Sequence, residues 1–228
     1  MTYCISDVHG EYDLFMRLLD QIGYSDGDKL MVCGDLIDKG AESVKLAKQV
    51  FSMPGAYCIM GNHEQAFFEF YRTRMHSAIM DFDAILWHLQ QYFPDGKDLD
   101  WDTIDRLVDL PYYLETDDFI CVHAAAPLDG DMRVLPLDLA EVQELIYDRR
   151  FKNPDVLPRH SKCVMFGHTP TYYLDGKAEI LLYPKQGREG SVHSVGDLCK
   201  VHLDTGVMQT GVLGAFCVED CRTFYVHR

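Results

Sequence analysis

The sequence is constrained most by one unit that occurs three times in succession: a short apolar run, a polar loop and a helix-forming segment. The apolar runs lie at 2–6, 30–33 and 56–60, and the helices are predicted at 12–22, 42–51 and from 65 onward. Short apolar runs that alternate with amphipathic helices are typical of an α/β sheet. The polar loops therefore follow the strands, where open α/β sheets place their functional residues.

The polar loops carry side chains that can bind metal ions, and two later apolar runs, 119–122 and 163–166, are also followed by a histidine. The donors at strand ends are Asp7, His9, Asp35, Asn62, His123 and His168. Helix capping explains a single Asp or Asn, but it does not explain His9 and His63, which are poor caps. The recurrence of these residues at strand ends favours a metal site.

Oxygen and nitrogen donors without a thiolate suit manganese, iron or zinc in a catalytic site. The six donors exceed what one open catalytic ion uses. Two ions about 3.5–4 Å apart that share one carboxylate fit this number better. His63 then remains as a free imidazole beside Asn62, and Asp38 is the remaining carboxylate. We expect Asp38 to orient His63, which protonates a leaving group.

The rest of the chain is predicted to complete one domain over 1–228. Residues 65–110 are expected to form a helical insertion, and 137–147 a further helix. Hairpins are predicted at 112–122 and 211–227, each with a short polar turn between two apolar runs. A polar loop at 183–194 contains two glycines and is expected to lie near a substrate.

Composition excludes several classes of protein. The hydrophobic content of 47% supports a sizeable core. A net charge of −15 without a basic patch argues against binding to a nucleic-acid polymer. No secretory segment or membrane-spanning run is evident, so a cytoplasmic protein with eight reduced cysteines is expected. The oligomeric state is left open.

Taken together, the motifs resemble the PPP-type metallophosphatases of the calcineurin-like phosphoesterase superfamily. In order and size they are most similar to the bacterial and phage-lambda-like serine/threonine protein phosphatases. The resemblance is carried by Asp7-Val8-His9-Gly10, Gly34-Asp35-Leu36-Ile37-Asp38-Lys39-Gly40, Gly61-Asn62-His63-Glu64, His123 and Gly167-His168-Thr169. It implies an α/β fold: a metallophosphoesterase β-sandwich flanked by helices, with strand-loop-helix units carrying the metal ligands.

The resemblance also implies two divalent metal ions, manganese first, with iron, zinc or nickel as alternatives. One ion is assigned to Asp7 and His9, and Asp35 bridges to the second. The second ion is assigned to three further residues, Asn62, His123 and His168.

The same resemblance assigns the catalytic acid to His63 with Asp38. It assigns phosphate binding to Arg149, the best match in the segment Asp148-Arg149-Arg150, with contributions from Lys39 and Asn62. The reaction it implies is hydrolysis of phosphoserine or phosphothreonine, and of phosphotyrosine as a further substrate, by direct attack of a metal-bridging hydroxide. The expected partner is a phosphorylated protein or a small phosphate ester.

Three positions depart from the family pattern: Ser6 replaces a glycine, and Lys39 and Met60 replace arginines. Lysine lacks the bidentate fork of arginine, and methionine removes a phosphate contact. These changes keep a second function open, hydrolysis of a dinucleoside polyphosphate such as diadenosine tetraphosphate. Glu64 favours the protein phosphatase, because the dinucleoside tetraphosphatases usually have Asp there. A third alternative is a non-catalytic interaction module.

Overall fold

The computed structural model describes residues 1–77 and 81–228, which form two five-stranded mixed sheets packed face to face. Sheet A has the strand order β10-β9-β1-β2-β3, and sheet B has the order β4-β5-β6-β8-β7. The strands are β1 Thr2–Ile5, β2 Lys29–Val32, β3 Ala56–Cys58, β4 Tyr113–Glu115, β5 Phe119–Val122, β6 Cys163–Phe166, β7 Leu181–Pro184, β8 Leu198–His202, β9 Val212–Cys217 and β10 Thr223–His227. The predicted β-sandwich flanked by helices is confirmed.

The helices connect these strands and cover the outer faces of the sheets. They are α1 Tyr12–Ile22, α2 Ser43–Ser52, α3 Asn62–Ser77, α4 Phe82–Gln90, α5 Trp101–Val108, α6 Val142–Tyr147, α7 Tyr172–Asp175 and α8 Val207–Thr210. Single 3₁₀ turns lie at Gly96–Asp98, Leu137–Leu139, Arg150–Lys152 and Val195–Asp197. No helix within the described ranges is both long and apolar enough to cross a membrane.

Alternation along each strand divides the core into layers, because successive side chains of a strand point to opposite faces. On β1, Cys4 packs between the two sheets with Phe216 and Met165. Tyr3 and Ile5 point the other way, into the layer that contains α1 and α2. On the outer face of sheet B, a third cluster joins strand residues to α6 and to the 3₁₀ turn that follows it.

Parallel pairing sets the position of the loops. Strands β1, β2 and β3 are parallel in sheet A, and β5, β6 and β8 are parallel in sheet B. The carboxyl ends of both sets lie at the same edge of the sandwich, where His123 after β5 donates a hydrogen bond from Nδ1 to the Cys33 carbonyl after β2, at 2.9 Å. The loops that follow the parallel strands therefore converge on one region.

The predicted elements agree with the structure in type, and α1 agrees in both bounds. Both predicted hairpins are present, as β4–β5 and β9–β10. The continuous helix expected over 137–147 is wrong: the backbone at Ala140 and Glu141 is extended, which separates a 3₁₀ turn from α6. The loop expected from residue 183 begins later, because Tyr183 and Pro184 belong to β7.

Within the predicted helical stretch 65–110, the structure has α3, α4 and α5, and residues 78–80 of that prediction lie outside the described residues. The single domain over 1–228 with this stretch as an insertion stays a prediction.

One lysine is fully buried in sheet B. Lys200 on β8 has no exposed side-chain surface. Its ammonium donates hydrogen bonds to the carbonyls of Phe151 at 2.7 Å and Asn153 at 2.8 Å. The same group lies 4.4 Å from the centre of the Tyr183 ring. Lys200 thus ties the segment after α6 to the sheet, and burial lowers its pKa from 10.5 to about 7.

This buried ammonium predicts a pH-dependent stability. The pKa of Lys200 is about 7 in the folded chain and near 10.5 in the unfolded chain. The unfolded state therefore binds more protons between these values, and stability rises with pH there. Relative to Lys200→Met, the wild type is expected to gain up to about 1.4 kcal/mol in unfolding free energy per pH unit above pH ~7. Urea unfolding at several pH values measures the difference.

The control is Lys152→Met, an exposed lysine in the neighbouring 3₁₀ turn. This variant should follow the wild type at every pH. An unfolding free-energy difference between wild type and Lys200→Met that stays constant with pH would show that the pKa of Lys200 is not lowered.

Candidate metal centre

The polar loops after β1 and β2 lie side by side and are joined by backbone hydrogen bonds. The Asp7 N–H donates to the Gly34 carbonyl at 3.1 Å, and the His9 N–H donates to the Asp35 carbonyl at 3.0 Å. The loop after β6 joins them through the His168 N–H, which donates to Asp7 Oδ2 at 3.0 Å. Loops from both sheets are therefore fixed relative to one another before any ligand binds.

Left-handed backbone conformations are concentrated in these loops. Of nine non-glycine residues with positive φ in the described chain, six lie here: Asp7, His9, Asp35, Asp38, Lys39 and His168. Asp and His tolerate this region better than most residues, but each still costs of the order of 1–3 kcal/mol. The left-handed conformation turns the backbone so that neighbouring polar side chains point towards one region, and the surrounding hydrogen bonds stabilise this conformation.

The Glu64 carboxylate supplies much of that support. Glu64 is fully buried at the start of α3. It accepts the N–H groups of Asp35 at 2.8 Å, Leu36 at 2.8 Å, Ile37 at 3.0 Å and Gly61 at 2.9 Å. One side chain thus satisfies four backbone donors that would otherwise be buried without partners. This role explains the residue without reference to substrate, so Glu64 does not discriminate between the two enzyme classes.

Two glycines allow the loops to approach closely. A Cβ on Gly61 would lie 2.2 Å from Asp35 Oδ1 and 2.4 Å from the Asp35 nitrogen. A Cβ on Gly34 would lie 2.7 Å from His123 Nδ1. Neither position leaves room for a side chain, because the neighbouring atoms belong to backbone or to fixed donor residues.

The first group of donors surrounds His9. Its Nδ1 donates to the Ile37 carbonyl at 3.2 Å, so the neutral ring has its lone pair on Nε2. This Nε2 lies 3.6 Å from Asp35 Oδ2 and 3.9 Å from Asp7 Oδ1. The ammonium of Lys39 lies 2.8 Å from the same nitrogen. A cationic group thus occupies the position towards which the lone pair points.

The second group surrounds Asn62. His123 donates from Nδ1 to a carbonyl, so its lone pair is on Nε2, which lies 3.0 Å from Asn62 Oδ1 and 3.4 Å from Asp35 Oδ1. His168 Nδ1 lies 2.8 Å from the same amide oxygen. His168 Nε2 is buried and has no hydrogen-bond partner within the described residues. The Nε2 lone pair of His123 therefore faces two side-chain oxygens at close range, an arrangement that suits a cation.

The protonation equilibria agree with a cation at both places. Burial lowers the pKa of His9 to about 3 and that of His168 to about 4, so both rings are neutral at pH 7, the form that binds metals. Burial, together with the charges of Asp7 and Glu64, raises the pKa of Asp35 well above its ordinary value. A divalent ion would compensate this crowding of carboxylates.

Two sets of three residues could each hold a metal ion, because the donor atoms within each set all lie within 4.8 Å of one another. The sets are His9–Asp35–His63 and Asp7–Asp35–His123, and Asp35 belongs to both. The donors are oxygen and nitrogen only, and their arrangement fits two divalent ions. His63 lies in the first set, so its position is compatible with metal ligation as well as with acid catalysis.

His63 and Asp38 form a tight pair at the opening of the site. His63 Nδ1 lies 2.7 Å from Asp38 Oδ2. This hydrogen bond lowers the pKa of Asp38 to about 2. Burial opposes the charged form of His63, but the hydrogen bond with Asp38 and the charge of Asp35 raise its pKa. The Nε2 of His63 lies 3.8 Å from Asp35 Oδ2.

Of the two arginines after α6, only one is unpaired in the part of the chain that the structure describes. Arg150 forms ion pairs with Glu144 at 2.7 Å and Asp148 at 2.6 Å. Arg149 forms none and is exposed. Burial and then the charge of His123 lower the pKa of His168, and the charge of Arg149 makes a further, smaller contribution. Met60 is buried, with its side chain 1% exposed, and reaches no ligand position.

Sequence reasoning missed Asp204. This buried carboxyl follows β8 and accepts the Gly206 N–H at 2.8 Å through Oδ1. Burial raises its pKa well above the ordinary value, and the charges of Asp7 and Asp35 add to the effect. The available signal was its position: it follows a parallel strand, as Asp7 and Asp35 do.

The close approach at Gly61 predicts that Gly61→Ala loses metal affinity, because the new Cβ displaces Asp35 and the N–H donor of Gly61. We expect bound divalent ion to fall by about tenfold or more, together with a loss of 1–3 kcal/mol in stability, the cost of an unsatisfied buried donor. Metal analysis after dialysis and thermal melting measure both effects. In the matched control Gly27→Ala, where no atom lies within 4 Å of the new Cβ, both should be unchanged. Equal metal content in the two variants would contradict this role.

The chain is similar in sequence to proteins with the name bis(5'-nucleosyl)-tetraphosphatase. The asymmetrical bis(5'-nucleosyl)-tetraphosphatase of Geobacillus sp. (strain WCH70) is 26% identical over 97% of this chain and 92% of its own length. The symmetrical bis(5'-nucleosyl)-tetraphosphatase of Buchnera aphidicola subsp. Acyrthosiphon pisum (strain 5A) is 38% identical over 65 residues, 28% of this chain and 24% of that relative. The matched stretch thus spans about a quarter of the symmetrical enzyme.

Solved structures share the fold at low sequence identity. A protein provisionally described as a diadenosine tetraphosphatase gives a TM-score of 0.69 with 19% identity, covering 99% of this chain and 92% of that protein. A serine/threonine phosphatase from Saccharomyces cerevisiae gives a TM-score of 0.53 with 14% identity, covering 94% of this chain and 71% of that protein.

The expected function as a serine/threonine protein phosphatase is contradicted by these comparisons, since the relatives in sequence have the names of bis(5'-nucleosyl)-tetraphosphatases. The error arose because Glu64 was interpreted as favouring a protein phosphatase. Its carboxylate instead accepts hydrogen bonds from backbone N–H groups, a role that does not depend on the substrate. The superfamily resemblance, in contrast, is confirmed. The calcineurin-like phosphoesterase family matches residues 2–200, and the chain belongs to that family.

Proposed function

We propose that the chain hydrolyses dinucleoside tetraphosphates asymmetrically, releasing a nucleoside triphosphate and a nucleoside monophosphate. The observation that carries a phosphoesterase function is the convergence of His123 Nε2 with the side-chain oxygens of Asn62, at 3.0 Å, and Asp35, at 3.4 Å. The substrate class rests on the asymmetrical relative that matches 97% of the chain. The complete set of donors argues against a non-catalytic module.

We assign the metal ligands in two groups that share the carboxylate of Asp35. The set is Asp7, His9, Asp35, Asn62, His123 and His168, with manganese as the expected metal. When bound, the divalent ions polarise the phosphoryl oxygen and activate water for attack. Lys39 is exposed and flexible, so its ammonium can leave His9 Nε2 and bind a phosphate oxygen.

Substrate binding is assigned to Arg149, Lys39 and Asn62. Arg149 presents a guanidinium fork that suits a phosphate group. Lys39 supplies a point charge where the family has an arginine, and Met60 supplies no charge at all. A tetraphosphate chain offers several negatively charged groups, so it can compensate for weaker contacts to any single phosphate.

Proton transfer is assigned to His63. The Asp38 carboxylate holds its Nδ1–H and favours the imidazolium. Nε2 then carries the proton that the leaving phosphate oxygen requires. Because a nucleotide leaving group is already a stable anion, we expect the proton to matter less than for an alkyl ester, but still to accelerate the reaction.

The first experiment measures products from diadenosine tetraphosphate with manganese-loaded protein. Chromatography is expected to show ATP and AMP in equal amounts, and EDTA should abolish their formation. Formation of ADP alone would contradict asymmetrical cleavage. A faster rate on a phosphoserine peptide than on the dinucleotide would contradict the substrate class.

The acid assignment predicts that His63→Ala keeps its bound metal and loses turnover by a factor of about 10²–10⁴. Metal analysis and initial rates on the dinucleotide measure the two effects separately. The control His193→Ala removes an exposed imidazole and should behave as the wild type. A loss of metal together with turnover would instead identify His63 as a ligand.

A further inference from the structure

A large cavity within residues 1–77 and 81–228 lies away from the metal centre. Its volume is about 1120 Å³, and it is bordered by the first residues of β5 and β8 and by the segment before β6. Because these strands are parallel, this edge of sheet B is opposite the one that carries His123 and His168. A strand of four residues spans roughly 13 Å, so the two sites are separate.

The charge of this cavity differs from that of the chain. Its lining includes Arg159, Lys162 and Lys185 against the carboxylates of Glu115 and Glu189. The lining is therefore cationic by one charge with histidine neutral, whereas the whole chain has a net charge of −15.

Two of these cations lack partners. Lys162 is satisfied, since its ammonium lies 2.9 Å from Glu115 and donates to the Thr116 carbonyl. The side chains of Arg159 and Lys185 make no hydrogen bond or ion pair within the described ranges. Cys199 lines the same cavity as Arg159 and Lys185. Burial raises the pKa of Cys199, and the charges of Lys185 and Arg159 act against that rise.

The remaining lining combines one free donor with an apolar wall. The hydroxyl of Ser161 is buried and has no hydrogen-bond partner in the part of the chain described. The backbone of the preceding His160 is left-handed, with φ of 53°. The apolar wall consists of Val134, Leu135, Pro136, Leu137, Leu157 and Pro158.

A guanidinium, an ammonium and a hydroxyl are the donors that bind a phosphate group. An inorganic phosphate would fill only a small part of the cavity, and small-molecule pockets of roughly 300–1,000 Å³ hold whole organic ligands. We propose that this pocket binds a phosphate-bearing organic anion of nucleotide size, with its phosphates on Arg159 and Lys185 and its organic part on the apolar wall. This inference does not depend on the reaction at the metal centre.

Calorimetric titration of the metal-free protein in EDTA tests the proposal, with ATP and tripolyphosphate as probes. ATP is expected to bind more tightly than tripolyphosphate, because only ATP contacts the apolar wall. The double variant Arg159→Ala/Lys185→Ala should weaken ATP binding by about tenfold or more, the loss expected for charge-assisted hydrogen bonds. The control Arg17→Ala removes an exposed cation of α1 that does not line this pocket, and it should leave ATP affinity unchanged.

Leu135→Ser separates the two halves of the pocket. Leu135 is 43% exposed, so the substitution should not disturb the core. The substitution is expected to weaken ATP binding and to leave tripolyphosphate binding unaffected. Thermal melting and metal content of each variant confirm that the fold is intact.

Three results would overturn the proposal. The first is loss of ATP binding in Arg149→Ala with full binding in the double variant, which places the anion at the metal centre. The second is equal affinity for ATP and tripolyphosphate, which would show that the organic part of the ligand does not contact the apolar wall. The third is absence of ATP binding to the wild type at millimolar concentration.

Discussion

The site depends on one buried carboxylate. Glu64 lies in the first turn of α3 and accepts four N–H groups from the loops after β2 and β3. A hydrogen bond to a charged acceptor is worth about 1.5–3 kcal/mol, which is comparable to the cost of a left-handed residue. The strain of Asp35 and Asp38 is therefore compensated locally, and the donor atoms of Asp35 are fixed before any ion arrives. Close contact of the two loops, permitted by Gly61, is the geometric condition for this arrangement.

Lone pairs, more than residue types, define this centre. A sequence shows that His9 and His123 follow strands, but not which nitrogen is free. In the structure each ring donates its Nδ1–H to a backbone carbonyl. Each Nε2 is then left facing oxygen acceptors, an arrangement that is repulsive until a cation separates the atoms. The Lys39 ammonium beside His9 Nε2 shows that the protein itself stabilises positive charge there.

The sequence was sufficient for the sandwich and for the edge at which donors meet, because both follow from strand periodicity and parallel connections. It was insufficient where a residue acts through contacts distant in the chain. The charge of Asp7, nearly the whole chain away in sequence, contributes to the raised pKa of Asp204, and nothing local distinguishes Asp204 from a turn residue. Glu64 was interpreted as an indicator of substrate class, because the sequence does not show the four backbone N–H groups that its carboxylate accepts. The break at Ala140 depends on tertiary packing around α6, which local helix propensity does not report.

An acidic chain can still handle phosphate if its positive groups are placed where they act. Most carboxylates here are exposed and screened, and their fields fall off within about 10 Å at ordinary ionic strength. The charge of Arg149 contributes to the lowered pKa of His168, so its effect reaches the metal centre. At the opposite edge of sheet B, the charges of Arg159 and Lys185 act in the same way on the pKa of Cys199. Net charge therefore limits binding to long polyanions, which contact many surface carboxylates, but not to small phosphates that enter one concave site.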